Sequence, residues 1–173
     1  MNVLIPGSFA PITLGHVNVI ERAAQLFDKV YVAVMNNDSS KHDDRLSSKT
    51  YSLDIEQRLE LVKASVDHIE NVEAISSSGM LIDLCDEIDT HIIVKGIRNG
   101  EDLEYEMIHA KWNKEHNPKI ETLFLPCDKS TATLSSTLVR SLIAEKKFDG
   151  LEGLVAPHAI ELLIQYNDNK KRR

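Results

Sequence analysis

Two short segments, far apart in the chain, hold the residues best suited to chemistry: Thr13-Leu14-Gly15-His16 and Ser135-Ser136-Thr137-Leu138-Val139-Arg140. The first lies in the turn after an apolar run that ends at Pro6-Gly7, where a doubly wound fold places its phosphate-binding loop. Gly15 and His16 then fall in the first turn of a helix. Free N–H groups and the positive end of the helix dipole attract anions there, and a glycine lets a phosphate approach closely. An imidazole at that place can donate a hydrogen bond to a phosphoryl oxygen. The second segment puts three hydroxyls at a loop-to-helix junction and an arginine one turn in, a set that can hold and neutralise a polyphosphate. Each string also has a plainer reading: Thr13 capping a helix with His16 exposed, and a Ser/Thr cap followed by a surface arginine. Neither G-x-G-x-x-G nor G-x-x-x-x-G-K-[ST] occurs, so neither the dinucleotide fingerprint nor a Walker loop explains the first turn. Lys95-Gly96-Ile97-Arg98 adds two cations where a strand ends.

Hydrophobic spacing predicts the elements that must bring these residues together. Residues 2–5, 30–34, 72–75, 91–94 and 122–125 read as strands, the second of them β-branched and suited to burial on both faces. Val17, Ile20, Ala24 and Phe27 recur at helical spacing, and Asp54 to Gln57 supplies a D-x-x-Q capping signal for a helix to about residue 66. Further helices are predicted over 80–87, 102–115, 136–145 and 157–165. Strands alternating with helices imply βαβ crossovers, so the expected fold is α/β: a Rossmann-like, doubly wound, five-stranded parallel sheet with helices on both faces. Two stretches break the rhythm, a long polar one at 35–52 and a Ser/Thr-rich one at 126–134. Long loops after strand ends are where open α/β sheets bind ligands, so both are expected to rim one site.

The chain has 173 residues, 42% hydrophobic and 27% charged, which suits one globular domain and excludes a disordered or low-complexity protein. Residues 168–173 read as a basic, solvated tail. A net charge of −7 argues against a broad surface for nucleic acid or anionic lipid, so any bound anion must be met by a local cluster. No apolar run approaches the roughly 18 residues of a membrane span, and no signal-peptide pattern follows Met1. A cytoplasmic protein is expected. Cys85 and Cys127 stand in no metal-ligand spacing and read as buried, reduced thiols.

Thr13-Leu14-Gly15-His16 resembles the T/H-x-G-H signature of the nucleotidyltransferase superfamily, and Leu134 to Arg140 resembles its I-S-S-T-x-x-R signature. Residues 6–16, Lys95-Gly96-Ile97-Arg98, Asp102-Leu103-Glu104-Tyr105-Glu106-Met107 and Asn113 follow the order and spacing of the bacterial phosphopantetheine adenylyltransferase family. The resemblance implies transfer of the adenylyl group of ATP to 4′-phosphopantetheine with magnesium, giving dephospho-coenzyme A and pyrophosphate, by a cytoplasmic homohexamer. It assigns catalysis to His16, Lys41 and Arg98. To ATP it assigns Ser8, Phe9, Gly15, His16, Arg98, Asp102, Glu106, Ser135, Ser136, Thr137 and Arg140. Phosphopantetheine would meet Ser8, Lys41, Met80, Leu81, Lys95 and Asn113. Lys49 is a rival to Lys41, and no protein ligands for the metal are named. Such chemistry needs no general base, because the attacking phosphate is already an anion; alignment and charge stabilisation suffice.

The chain departs from that family's pattern at Ala10, where an aspartate is usual, and at Lys95, where an arginine is. A point charge replaces a bidentate fork at Lys95. The predicted helix from Asp102 carries two apolar stripes, Leu103-Met107-Ala110 and Tyr105-Ile108-Trp112. One is expected to face the core and the other a pocket or a subunit contact, unless all of them are core.

Overall fold

The computed structural model describes residues 1–36 and 53–171. Five strands, β1 (Asn2–Gly7), β2 (Lys29–Met35), β3 (Val72–Ser77), β4 (Ile92–Ile97) and β5 (Glu121–Pro126), form one sheet in the order β3-β2-β1-β4-β5. Every neighbouring pair is parallel. The helices are α1 (Leu14–Leu26), α2 (Ile55–Val66), α3 (Leu81–Glu87), α4 (Gly100–His116), α5 (Ser136–Ala144) and α6 (Pro157–Lys171). The expected fold class is therefore the observed one. A short 3-10 helix, Phe148–Leu151, which the sequence reading did not anticipate, joins α5 to α6.

Alternation along the central strands divides the core in two. Val3, Ile5, Val30, Val32, Val34 and Val94 face Ile20, Leu61, Val139 and Leu163 from α1, α2, α5 and α6. Leu4, Ala33 and Ile93 point the other way, onto Leu84 and Cys85 of α3 and onto Ile120. The chain runs outward from β1 to β3, then returns to β4 on the other side of β1. With right-handed crossovers, that reversal puts α3 and α4 on the opposite face from α1 and α2. It also makes the β1–β4 junction the switch point, the place where open α/β sheets bind ligands. There β1 and β4 are registered at Leu4 opposite Ile93 alone, whereas β1 and β2 match from Asn2–Lys29 through Gly7–Val34. The carboxyl ends of β1 and β4 are thus free to part.

Three expectations need correction. The last helix continues from Pro157 to Lys171 rather than stopping near residue 165, so it takes in the first part of the segment read as a tail. The sheet-facing stripe of α4 is Leu103, Glu106, Ala110 and Asn113, two of them polar, and Met107 is exposed. Cys127 is only partly buried, although Cys85 is buried and both are free thiols.

Candidate active site

A cavity of about 450 Å³ opens at the switch point, lined by the ends of β1 and β4, the start of α1, the first turns of α4 and the start of α5. Its floor exists because of a glycine. A Cβ on Gly96 of β4 would lie 2.7 Å from Val19 Cγ2, so only glycine lets α1 lie this close to the strand. Gly15 plays the matching part above it: a Cβ there would come within 3.3 Å of the Thr131 carbonyl oxygen, where the loop after β5 folds over the helix start.

That loop is tied to α1 by side chains. Arg22 Nη1 donates to the Pro126 carbonyl at 2.6 Å, and Asn18 Nδ2 donates to Asp128 at 2.9 Å. The two signature segments, 118 or more residues apart in sequence at their nearest signature residues, meet through the turn after β1. Ser136 Oγ donates to the Pro11 carbonyl at 2.7 Å, and Arg140 Nη1 donates to the Ala10 carbonyl at 2.7 Å. Ser135 caps α5 by accepting from the Leu138 N–H, and Thr137 Oγ1 accepts from Arg140 Nη2 at 3.0 Å. The capping reading and the binding-site reading of this string are thus both met: Ser135 is an N-cap, yet the string lines the cavity.

His16 is held by the helix cap. Its Nδ1 lies 3.0 Å from both the N–H and the Oγ1 of Thr13, the N-cap residue. A backbone N–H can only donate, so the hydrogen-bond pattern assigns the lone pair to Nδ1 and the proton to Nε2. Burial, then the nearby charge of Arg98, lowers the imidazole pKa from 6.5 to about 4. The residue is accordingly a neutral Nε2–H donor at neutral pH, not a cation.

Three cationic side chains line the cavity, and two are matched with carboxylates. Arg98 makes a fork to Asp102, Nε to Oδ2 at 2.8 Å and Nη2 to Oδ1 at 3.0 Å, and its own N–H reaches the same carboxylate. This contact raises the pKa of Arg98 and lowers that of Asp102. Asn99 caps α4 by accepting from the Asp102 N–H, which sets the carboxylate at the helix start. Lys95 Nζ lies 3.1 Å from Glu106 Oε2, an ion pair by distance without hydrogen-bond alignment. Arg140, whose pKa burial lowers, is bonded to a carbonyl and a hydroxyl and has no carboxylate partner among the described residues. The local cluster required by the overall negative charge is present.

The cavity gathers Ser8, Phe9, Gly15, His16, Lys95 and Arg98, and with them Asp102, Glu106, Ser135, Ser136, Thr137 and Arg140. It does not include Met80, which is exposed at the N-cap of α3, or Leu81, which packs on the second core. Asn113 is buried two turns beyond Glu106 on α4 and also lies off the lining. Lys41 and its rival Lys49 lie outside the described residues. Tyr105, Cys127 and Thr131 line the cavity without having been singled out for it. Tyr105 falls on the apolar stripe expected at a pocket or a subunit contact; the other two have no sequence signal beyond their place in the loop.

Comparison with known proteins agrees with this geometry. The cytidylyltransferase-like family model matches residues 4–142, which makes the chain a nucleotidyltransferase. A solved structure from Vibrio parahaemolyticus, provisionally described as a nicotinate-nucleotide adenylyltransferase, superposes with a TM-score of 0.67 over 96% of this chain and 93% of that one. At 20% identity that likeness speaks for the fold alone. Phosphopantetheine adenylyltransferases are much nearer in sequence: that of Staphylococcus haemolyticus is 36% identical over 92% of each chain. That of Prochlorococcus marinus is 37% identical over 93% of this chain and 95% of its own. The chain belongs to the phosphopantetheine adenylyltransferase family.

Proposed function

We propose that the protein transfers the adenylyl group of ATP to 4′-phosphopantetheine, releasing pyrophosphate and dephospho-coenzyme A, by in-line attack of the acceptor phosphate on the α-phosphorus. The observation that carries this is the convergence of His16 and Arg140 on one cavity at the switch point. The acceptor brings its own negative oxygen, so the protein has to align two phosphates and stabilise the charge that develops between them. His16 Nε2–H is the donor for the α-phosphate. Being neutral, it favours developing charge without binding the ground-state polyanion as a cation would. Arg98, preset by Asp102, and Arg140 flank the ATP phosphates, with Gly15 and the Ser135-Ser136-Thr137 helix start beside them and Glu106 toward the nucleoside. Ser8 and Lys95 face the acceptor, joined in the proposal by Lys41, Met80, Leu81 and Asn113.

Magnesium belongs to the proposal as an ion carried on the triphosphate. Among the described residues no group of three or more His, Cys, Asp or Glu side chains is placed to hold a metal. Mg²⁺ needs only one or two carboxylates when phosphates supply the rest, and Asp102 and Glu106 stand at the cavity. Bound there it would screen the phosphate charge.

The homohexamer also belongs here. Tyr105, Ile108 and Trp112, one stripe of α4, are 57%, 66% and 40% exposed, and Asn113 alone of this helix is buried. An unpartnered apolar face of this kind supports a subunit contact. Light scattering should give a mass near six times the 19.5 kDa chain. A cytoplasmic site of action belongs to the proposal as well; no helix among the described residues is long and apolar enough to cross a membrane.

The deciding experiment incubates the protein with ATP, magnesium and one phosphorylated acceptor at a time while pyrophosphate is followed. Release with 4′-phosphopantetheine is expected. Release only with another acceptor, or tight ATP binding with no release, would overturn the reading.

A further inference from the structure

Arg58 sits in the second turn of α2, 7% exposed, with its guanidinium inside the protein. Nη1 donates to the Ser8 carbonyl at 2.7 Å and to the Met35 carbonyl at 3.1 Å, and Nη2 donates to Asn36 Oδ1. These contacts fall at one particular place. The β1–β2 ladder ends with Gly7 opposite Val34, so Ser8 and Met35 are the first residues beyond its last rung. Past that rung the two strands no longer hold each other, and Arg58 spans them instead, with Nη1 bridging the two carbonyls and Nη2 turned to Asn36.

The next residue shows what the span is for. Phe9 has a φ of 43°, in the left-handed region that a bulky L-residue rarely adopts, and its ring is buried over Gly7 and against His16. Such a corner persists only when its surroundings over-determine it. Arg58 holds the carbonyl before Phe9, and Arg140 holds the carbonyl after it. Capping of α2 by the Asp54–Gln57 box fixes the helix from which Arg58 reaches.

We propose that Arg58 is a positioning residue for the reaction: by tying Ser8 to the end of β2 it keeps the Phe9 ring against His16 and Ser8 at the acceptor side of the cavity. The inference rests on the adenylyl-transfer reading for its kinetic consequence, but not for its structural one.

The test uses Arg58→Lys in the full chain. Lysine retains the charge and the apolar stem, but its ammonium ends one bond short of the Nη1 position and leaves no second nitrogen for Asn36. The expected result is a folded protein whose KM for ATP stays within about threefold of wild type while kcat falls roughly 10- to 100-fold, the loss associated with a small misplacement of reacting groups. In the same variant, NMR titration of His16 should move from about 4 toward its unperturbed 6.5, because a loosened Phe9 admits water. An unchanged kcat with an unchanged His16 titration, even alongside a lowered melting temperature, would reduce Arg58 to a structural strut and overturn the proposal. If wild type shows no adenylyl transfer, the functional reading fails and the His16 titration alone decides this inference. Arg58→Gln, read in the same two ways, serves if the lysine variant does not fold.

Discussion

The Phe9 ring meets the His16 imidazole edge-on, with centroids 5.3 Å apart and planes at 73°. The catalytic candidate is therefore held by an aromatic contact and, at one nitrogen, by the Thr13 cap, which leaves Nε2–H as the atom available to a substrate. Donor geometry of this kind acts mainly on charge that develops during reaction. His16→Ala should leave the dissociation constant for ATP within a few-fold and lower turnover by at least roughly 100-fold. Calorimetric ATP titration beside a pyrophosphate assay measures both. Near-normal turnover would refute the role.

The lowered pKa of His16 has a thermodynamic counterpart. Its folded value of about 4 lies below the unperturbed 6.5, so between those values the unfolded chain binds a proton that the folded chain does not. Stability tied to this group is fully present above pH 6.5 and is lost as pH falls toward 4, by up to roughly 3 kcal/mol. Urea unfolding at pH 7 and pH 4.5 should show wild type losing more stability than His16→Asn over that interval. Equal losses in the two proteins would contradict it.

Two glycines should fail in different ways. Gly96→Ala drives a methyl to 2.7 Å from Val19 in the core, so it should destabilise folding by about 1–3 kcal/mol. Gly15→Ala meets the Thr131 carbonyl at 3.3 Å, a contact the loop can relieve by moving outward. Its melting temperature should stay close to wild type while KM for ATP rises roughly tenfold, about 1.4 kcal/mol of binding. Thermal melts and steady-state kinetics on the pair distinguish the core contact from the loop contact.

Asp102 holds Arg98 in a fork at the wall of the cavity. Removing the carboxylate in Asp102→Ala frees the guanidinium from its fork, and kcat/KM for ATP should fall roughly tenfold with little change in unfolding free energy. An unchanged kcat/KM would show that Arg98 needs no such support.

Ala10 stands where the family usually has aspartate, yet the turn is held there through its main chain, by Arg140 on the Ala10 carbonyl and Ser136 on that of Pro11. Ala10→Asp leaves both bonds in place, so pyrophosphate release should not decrease. A large loss would mean that the turn has been rebuilt around alanine.

What the sequence made legible follows the range of the interactions involved. The T-L-G-H turn and the Asp54–Gln57 capping box are local, with partners three residues apart, and they stand in the structure as read. The β-branched run of β2 announced its burial. Arg58 did not stand out, because an arginine on an amphipathic helix looks like a solvated one until its carbonyl partners, 50 and 23 residues away, are brought beside it. The inward stripe of α4 was misread for a related reason. Glu106 and Asn113 take inward positions that hydropathy reserves for Met107, because Glu106 has Lys95 of β4 to face. The Arg98–Asp102 fork was legible only as two separate ATP contacts, since residue type does not say which charges will pair.

A crystal structure of the protein with magnesium and a non-hydrolysable ATP analogue would show whether His16 and Arg140 meet one nucleotide. The triphosphate should lie across the β1–β4 junction, with His16 Nε2 within hydrogen-bonding distance of an α-phosphate oxygen and Arg140 beside the same chain of phosphates. A nucleotide bound elsewhere, or in this cavity with its phosphates turned away from His16, would contradict it.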